Sequence, residues 1–320
     1  MMQDCLFLAH PTILYYNDHG VAKARFELDQ DAFSRCPNCG GTRFVQVIKD
    51  GYTMAAPCPA ARTQSRMDRY NAANIPARFR EARFDNFDLD SLPGKGKTIE
   101  SMFIRKIRDF SQGQRGIILE GGPGTGKTHL LCAAARHLTI ELNQSVRYVD
   151  FSVLLSEIRS IYQSPNAVQS EADLIEDLVR VPVLFLDELG KGRDRSNEFE
   201  MRIIDEIINR RYNDDSLTTF FASNYRDQNS SSYNLFRENG IENLGDPVMK
   251  SKWLKFAQER CRTKDAHAIE RFTSQAMGVM KMDHLENRLL PRIVSRIFEM
   301  ANPIVIEAMD YRTRVDGGAR

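Results

Sequence analysis

One glycine-rich stretch limits the possible folds of this chain more than any other feature. Its residues are Gly121, Gly122, Pro123, Gly124, Thr125, Gly126, Lys127 and Thr128, which fit the pattern G-x-x-x-x-G-K-[ST] in full. An apolar run at 116–119 precedes it, and an apolar helical pattern at 130–138 follows it. In this order of strand, loop and helix, backbone N–H groups and the helix N-terminus converge on an anion. The stretch therefore predicts a phosphate-binding loop in a parallel α/β domain.

Two side chains of the loop fit a bound nucleoside triphosphate. Lys127 would place a positive charge at the β- and γ-phosphates, and the hydroxyl of Thr128 would be a ligand of Mg²⁺. An acidic pair, Asp187 and Glu188, ends the apolar run 181–186. Because the carboxyl ends of strands face the ligand crevice of an open α/β sheet, we expect Asp187 to hold Mg²⁺ and Glu188 to polarise the attacking water. An acidic pair after a strand is often only a helix-capping loop, and the phosphate loop in the same chain favours the functional interpretation.

The next apolar run, 218–222, ends in Ser223-Asn224. An amide at the end of a strand beside the acidic pair can orient the attacking water without adding charge, so Asn224 is a third catalytic candidate. Taken alone, Ser-Asn is an ordinary turn signal.

Five apolar runs, at 116–119, 145–149, 181–186, 218–222 and 304–306, alternate with helical patterns. This alternation predicts a parallel sheet covered by helices. Residues 225–287 interrupt it and are interpreted as an insertion.

The composition narrows the class of protein. The 320 residues carry 44 basic and 43 acidic side chains, a net charge of +1, so a nucleic-acid surface must be a local patch. No apolar run approaches the roughly 18 residues of a membrane span, and the N-terminus does not resemble a signal peptide. We therefore expect a cytoplasmic protein without a membrane partner.

The order of phosphate loop, Asp-Glu strand and Ser-Asn strand end resembles an AAA+ ATPase, and further stretches resemble the DnaC/DnaI-type helicase loaders and the related IstB-type transposition ATPases. These stretches are 75–87, 146–149, 154–159, 187–190, 207–212, 303–306 and 310–312. The resemblance implies a P-loop AAA+ core, ATP and Mg²⁺ as cofactors, and self-association into an oligomer. Its partners would be single-stranded DNA and a replicative hexameric helicase, or a transposase in the alternative.

The same resemblance assigns an arginine finger, directed at the nucleotide of a neighbouring subunit, to Arg296, with Arg292 as the second choice. Arg288, Arg292 and Arg296 are spaced by four, so a helix through 288–298 would place them on one face. A solvated basic stripe is the alternative. We expect no C-terminal lid domain, so hydrolysis would depend on the finger and be slow and oligomer-dependent.

Three cysteines near the N-terminus suggest a zinc knuckle. Cys36 and Cys39 form a C-x-x-C turn, and Cys58 begins what resembles a second knuckle, but Ala61 stands where a fourth cysteine is expected. Cys5, His10 or His19 would complete the site, or the site is degenerate. We divide the chain into a partner-binding knuckle domain at 1–65, a basic linker at 66–95 and the ATPase domain at 96–320.

Contacts with single-stranded DNA are assigned by the resemblance to Tyr162, Ser196 and Phe199, although an aromatic residue at helical spacing is more often part of a core. Residues 250–264 of the insertion hold six basic residues with Trp253 and Phe256 between them. Two interpretations remain open: a nucleic-acid contact by charge and stacking, or a basic helix with both rings packed beneath it. A nucleotide-gated adaptor without hydrolysis is the candidate from another functional class.

Overall fold

Two antiparallel hairpins precede the main domain. The computed structural model describes residues 9–16, 22–28, 36–90, 92, 96–163, 170–191, 197–227, 231–308 and 310–311. Strand β1 (Ala9–Tyr16) pairs with β2 (Ala22–Leu28), and β3 (Phe44–Lys49) pairs with β4 (Tyr52–Pro57). Helix α1 (Pro59–Ala72) follows, with proline at its first position, where the missing N–H costs no helical hydrogen bond.

A five-stranded parallel sheet forms the centre of the main domain. Its strands are β5 (Gly116–Glu120), β6 (Val146–Asp150), β7 (Val183–Leu189), β8 (Thr218–Ser223) and β9 (Ala301–Val305), in the order β6-β7-β8-β5-β9. The predicted α/β fold with a parallel sheet is confirmed. The order places β8, the strand that ends in Ser223, between the strand before the phosphate loop and the strand of the acidic pair.

The last strand begins earlier than the apolar run at 304–306 indicated, because Ala301, Asn302 and Pro303 belong to it. It lies at the edge of the sheet, where β5 is its hydrogen-bonded neighbour in the sheet order. Proline is tolerated in such edge strands, so Pro303 does not interrupt the strand.

Helices cover both faces of the sheet. A π-helical stretch (Ile99–Ile104) continues into α2 (Arg105–Arg108), followed by α3 (Lys127–Ile140), α4 (Phe151–Gln163), α5 (Glu171–Arg180), α6 (Glu198–Tyr212), α7 (Ser231–Glu238), α8 (Pro247–Cys261), α9 (Ala266–Met280) and α10 (Pro291–Met300). Three short 3₁₀ turns lie at Ala77–Phe79, Ile241–Asn243 and Leu285–Asn287. One core cluster joins α3 to the sheet, and another joins α4, α5, α6 and α10 to it. In the ranges described, no helix is both long and apolar enough to cross a bilayer.

The insertion has a hydrophobic core of its own, formed by α7, α8 and α9. Trp253 is 1% exposed and stacks on Phe272 with ring centroids 5.6 Å apart. Phe256 is partly buried against the same cluster. Of the two interpretations left open for residues 250–264, the structure therefore supports the packed rings, because Trp253 has no free face for a base.

The segment at 66–95 packs against the ATPase core. Tyr70 and Ile75 are buried in the cluster that also contains α3, and Phe87 packs against it. Helix α1 spans residues 59–72 and so crosses the proposed boundary at 65. The division into three domains stays a proposal, in which 66–95 is a packed connection rather than an extended tether.

Candidate nucleotide-binding site

The phosphate loop connects the end of β5 to the first turn of α3. Gly126 has a φ of +93°, a backbone conformation that residues other than glycine rarely adopt. A Cβ at this position would lie 2.5 Å from the ring of Phe87. Lys127 is buried and its Nζ donates to the carbonyl oxygens of Gly121 and Gly122, both at 2.8 Å. The loop therefore closes around its own lysine, which is the only charged side chain in the stretch.

Thr128 and Asp187 meet although 59 positions separate them in the sequence. The hydroxyl of Thr128 donates to Oδ2 of Asp187 at 2.7 Å. Neighbouring ligands of an octahedral Mg²⁺, each about 2.05 Å from the ion, are roughly 2.9 Å apart. The spacing of the two oxygens is therefore compatible with Thr128 and Asp187 holding one Mg²⁺ between them.

A tyrosine that the sequence did not single out completes the surroundings of Asp187. Tyr148, on the neighbouring strand β6, donates its hydroxyl to Oδ2 of Asp187 at 2.7 Å, and the N–H of Glu188 donates to Oδ1 at 2.7 Å. The side chains of Tyr148 and Asp187 are both buried. Burial and the adjacent Asp187 raise the pKa of Tyr148 well above its ordinary value, so Tyr148 stays a proton donor to the carboxylate.

Glu188 and Asn224 lie side by side at the carboxyl ends of β7 and β8. Nδ2 of Asn224 donates to Oε2 of Glu188 at 3.3 Å, and Nζ of Lys191 lies 3.3 Å from the same oxygen. Glu188 has a φ of +57°, which is uncommon for a residue other than glycine, and backbone strain of this kind clusters at functional sites. The predicted pair is thus brought together, and Lys191, expected from the sequence to face the DNA groove, places its charge beside Glu188 instead.

Glu120, the residue before the phosphate loop, is fully buried. Its Oε1 accepts from the N–H of Asp227 at 3.0 Å, and its Oε2 has no hydrogen-bond partner among the residues described. Burial raises the pKa of Glu120 to about 8. A carboxyl group that keeps its proton at neutral pH therefore joins the phosphate loop to the start of the insertion.

The finger candidates lie on α10 and contact a carboxylate of the same chain. Asp205 on α6 accepts from Arg292 at 3.1 and 3.3 Å and from Arg296 at 3.3 Å. The expected single face for three arginines is wrong for Arg288, because α10 begins at Pro291. Arg288 instead pairs with Asp283 at 2.9 Å and lies over the ring of Tyr225.

The sequence model of the family described as IstB-like ATP binding protein matches residues 58–226, more than half of the chain. This chain belongs to the IstB-like ATP-binding protein family. The match begins at Cys58 and covers the phosphate loop, the acidic pair and Asn224. The finger candidates and most of the insertion lie beyond it.

Individual relatives of this IstB-like protein share about a quarter of the aligned residues. The "uncharacterized protein YqaM" of Bacillus subtilis is 26% identical over 171 residues, which cover 51% of this chain and 52% of YqaM. The "replicative helicase loader DnaC" of Buchnera aphidicola subsp. Schizaphis graminum is 24% identical over 240 residues, which cover 75% of this chain and 89% of that protein. The crystal structure of the DnaC helicase loader aligns with 72% of this chain and 99% of its own, at 20% identity and a TM-score of 0.44.

The cysteine cluster of this IstB-like chain is compatible with a zinc site. Cys36, Cys39 and Cys58 place their sulfurs within 4.8 Å of one another, and the Cys36 and Cys58 sulfurs are 3.7 Å apart. Sulfurs bound tetrahedrally at about 2.3 Å from zinc are roughly 3.8 Å apart, a spacing that the Cys36–Cys58 pair matches. Desolvation alone would raise the pKa of Cys39, but hydrogen bonds from backbone N–H groups and from the two other thiols lower it overall.

The fourth zinc ligand stays open. Ala61, at the position of the missing cysteine, packs against the buried pair Cys36 and Cys58. The side chains of the candidates Cys5, His10 and His19 lie outside the residues described.

Two of the three residues assigned to DNA contact each other at the surface. The ring of Tyr162, which is 65% exposed, and the ring of Phe199 have centroids 6.2 Å apart in an edge-to-face arrangement. Tyr162 also donates its hydroxyl to Glu171, and Phe199 is partly buried against the core. Ser196 lies outside the residues described.

Proposed function

We propose that this protein is an ATP-dependent loader that places a replicative hexameric helicase on single-stranded DNA during replication initiation. The observation that carries the proposal is the convergence of Thr128, Asp187, Glu188 and Asn224 beside the phosphate loop. Relatives named as replicative helicase loaders support the choice of biological role. Single-stranded DNA and the helicase are proposed as partners on this basis.

The geometry supports hydrolysis of a nucleoside triphosphate. Lys127 and the loop N–H groups would bind the β- and γ-phosphates, while Thr128 and Asp187 would hold Mg²⁺. Mg²⁺ would neutralise charge on the phosphates. Glu188 would accept a proton from the attacking water, and Asn224, which already contacts Oε2 of Glu188, would orient that carboxylate and the water.

We propose that Arg296 is the arginine finger and that it acts on the nucleotide of a neighbouring subunit. The contact of Arg296 with Asp205 must break before its guanidinium can reach a second chain. The same carboxylate also binds Arg292, so either arginine can leave while the other keeps Asp205 paired. Hydrolysis would therefore be slow in the isolated chain and faster in the assembled, DNA-bound oligomer.

The partner-binding role goes to residues 1–65, which contain the cysteine cluster, and the DNA-binding role to Tyr162, Ser196 and Phe199. The exposed ring of Tyr162, held edge-on by Phe199, offers a face on which a base can stack.

The alternative is a transposition ATPase that binds DNA and recruits a transposase. The observation in its favour is the family itself, whose matching model carries the IstB name.

Co-purification of the full-length chain with either candidate partner separates the two proposals. The tagged protein is mixed with the replicative helicase or with the transposase of the same genome, with ATP and Mg²⁺, and complexes are resolved by size-exclusion chromatography. A stable complex with the helicase alone supports the loader. A complex with the transposase alone, or with neither, overturns it.

A further inference from the structure

Helix α8 and the loop after it carry the densest positive charge of the insertion. Six basic residues lie between positions 250 and 264, against one acidic residue, Glu259. The six are Lys250, Lys252, Lys255, Arg260, Arg262 and Lys264. This net charge of +5 contrasts with +1 for the whole chain, so the charge is concentrated locally.

All six basic side chains are exposed. Lys252 donates to the carbonyl oxygen of Glu238 at 2.7 Å, and Arg260 lies 3.9 Å from Glu307. The remaining four, Lys250, Lys255, Arg262 and Lys264, form no ion pair with any residue that the structure describes. By contrast, Arg202, Arg210 and Arg292 elsewhere on the surface each have a carboxylate partner.

The inner side of the same helix is fixed by packing. Trp253 and Ala257 are buried in the core of the insertion, and Nε1 of Trp253 donates to Oγ1 of Thr273 at 2.8 Å. Asp246 caps the N-terminus of the helix by accepting from the N–H groups of Val248 and Met249. The lysines therefore stand on a firm support, and the buried indole ring is unavailable for stacking on a base.

We propose that this α8 surface, defined as Lys250, Lys252, Lys255, Arg262 and Lys264, binds the phosphate backbone of DNA. Repeated single negative charges along a strand match ammonium groups spread along an exposed helix and its following loop. Because none of the five residues is aromatic, the contact would depend on charge and be independent of the base sequence. The inference rests on the proposed function in one respect, that the ATPase domain acts on DNA. It adds a DNA contact outside residues 58–226, which the family model matches.

A salt titration of DNA binding tests the surface in the full-length protein. We compare the wild type with Lys250→Gln/Lys255→Gln/Lys264→Gln, which keeps a polar side chain at each position while removing three charges. The matched control is Lys97→Gln/Arg105→Gln/Arg108→Gln, which removes the same charge from exposed positions near the π-helical stretch and α2. Affinities for a labelled single strand and a labelled duplex are measured across a series of salt concentrations, with anionic vesicles as a separate probe.

The slope of log affinity against log salt should become shallower by about 2 for single strands and about 3 for duplex in the α8 variant, since each phosphate contact contributes roughly 0.7 or 0.9. At low salt its affinity should fall by roughly 10- to 100-fold, while the control variant stays close to the wild type. An unchanged slope, an equal loss in the control, or binding of vesicles in place of DNA would overturn the α8 surface and leave the loader proposal standing. If the wild type binds no DNA, both proposals fail.

Discussion

Tyr148→Phe should weaken Mg²⁺-dependent nucleotide binding without unfolding the protein. The substitution keeps the buried ring and removes the hydroxyl that donates to Asp187 at 2.7 Å. A hydrogen bond to a charged group contributes about 1.5–3 kcal/mol, which corresponds to roughly 10- to 100-fold in an equilibrium constant. Loss of a group that orients a metal ligand has an effect of about the same size on metal affinity. Tyr148 therefore acts as a positioning residue for the Mg²⁺ ligand.

The assay is a titration of a fluorescent ATP analogue at several Mg²⁺ concentrations and in EDTA. We expect a 10- to 100-fold higher Mg²⁺ requirement in Tyr148→Phe and unchanged affinity in EDTA. Tyr70→Phe, which also removes the hydroxyl of a buried tyrosine but not one bound to Asp187, is the control. A Mg²⁺ requirement equal to that of the wild type, or an equal loss with and without Mg²⁺, would refute the positioning role.

Four further predictions follow from the geometry. Glu188→Gln should retain ATP binding and lose hydrolysis, since an amide does not accept the proton of water, and full turnover in a phosphate-release assay would place the base elsewhere. Arg296→Ala should reduce DNA-stimulated ATPase activity by about 10³-fold or more while leaving nucleotide affinity nearly intact. Lys127→Ala should abolish ATP binding, so mixing the two variants should restore part of the activity, and absence of rescue at every ratio argues against action in trans. Elemental analysis of protein purified without chelator should find about one zinc per chain, whereas none would indicate a degenerate knuckle. Burial raises the pKa of Glu120 from 4.5 to about 8, so the native state keeps a proton that the unfolded chain loses, and the protein loses stability as pH rises through that range. In thermal unfolding, Glu120→Gln should lose less stability than the wild type over the same range. A parallel decline in both proteins would exclude Glu120 as the cause.

The parallel sheet and the phosphate loop could be predicted because their signals are local. Each strand of the sheet contains a short apolar run. Strands β5 and β8 and most of β7 are buried on both faces, so their sequences are continuously apolar and can be recognised without knowing which strands they pair with. Asp187 and Glu188 were identified because the carboxyl end of a strand has a known position in such a sheet. The contact between Asn224 and Glu188 follows from the strand order, which places β8 beside β7.

Contacts that depend on tertiary packing could not be predicted. Tyr148 looks like an ordinary aromatic residue of a buried strand, and its role arises from the parallel register that pairs Asp150 with Asp187. Arg292 and Arg296 have helical spacing, but nothing in the sequence points to Asp205 on another helix. Glu120 is a single polar residue at the end of an apolar run, and only its complete burial marks it.

Transfer of the helicase is the most direct test of the proposed function. The replicative hexamer of the same genome is incubated with closed single-stranded DNA circles and this protein, and helicase bound to the circles is quantified after gel filtration, with and without ATP. We predict that the wild type increases the bound helicase strongly with ATP and that Lys127→Ala does not. Equal amounts of bound helicase without this protein, or with Lys127→Ala in its place, would contradict the loader function.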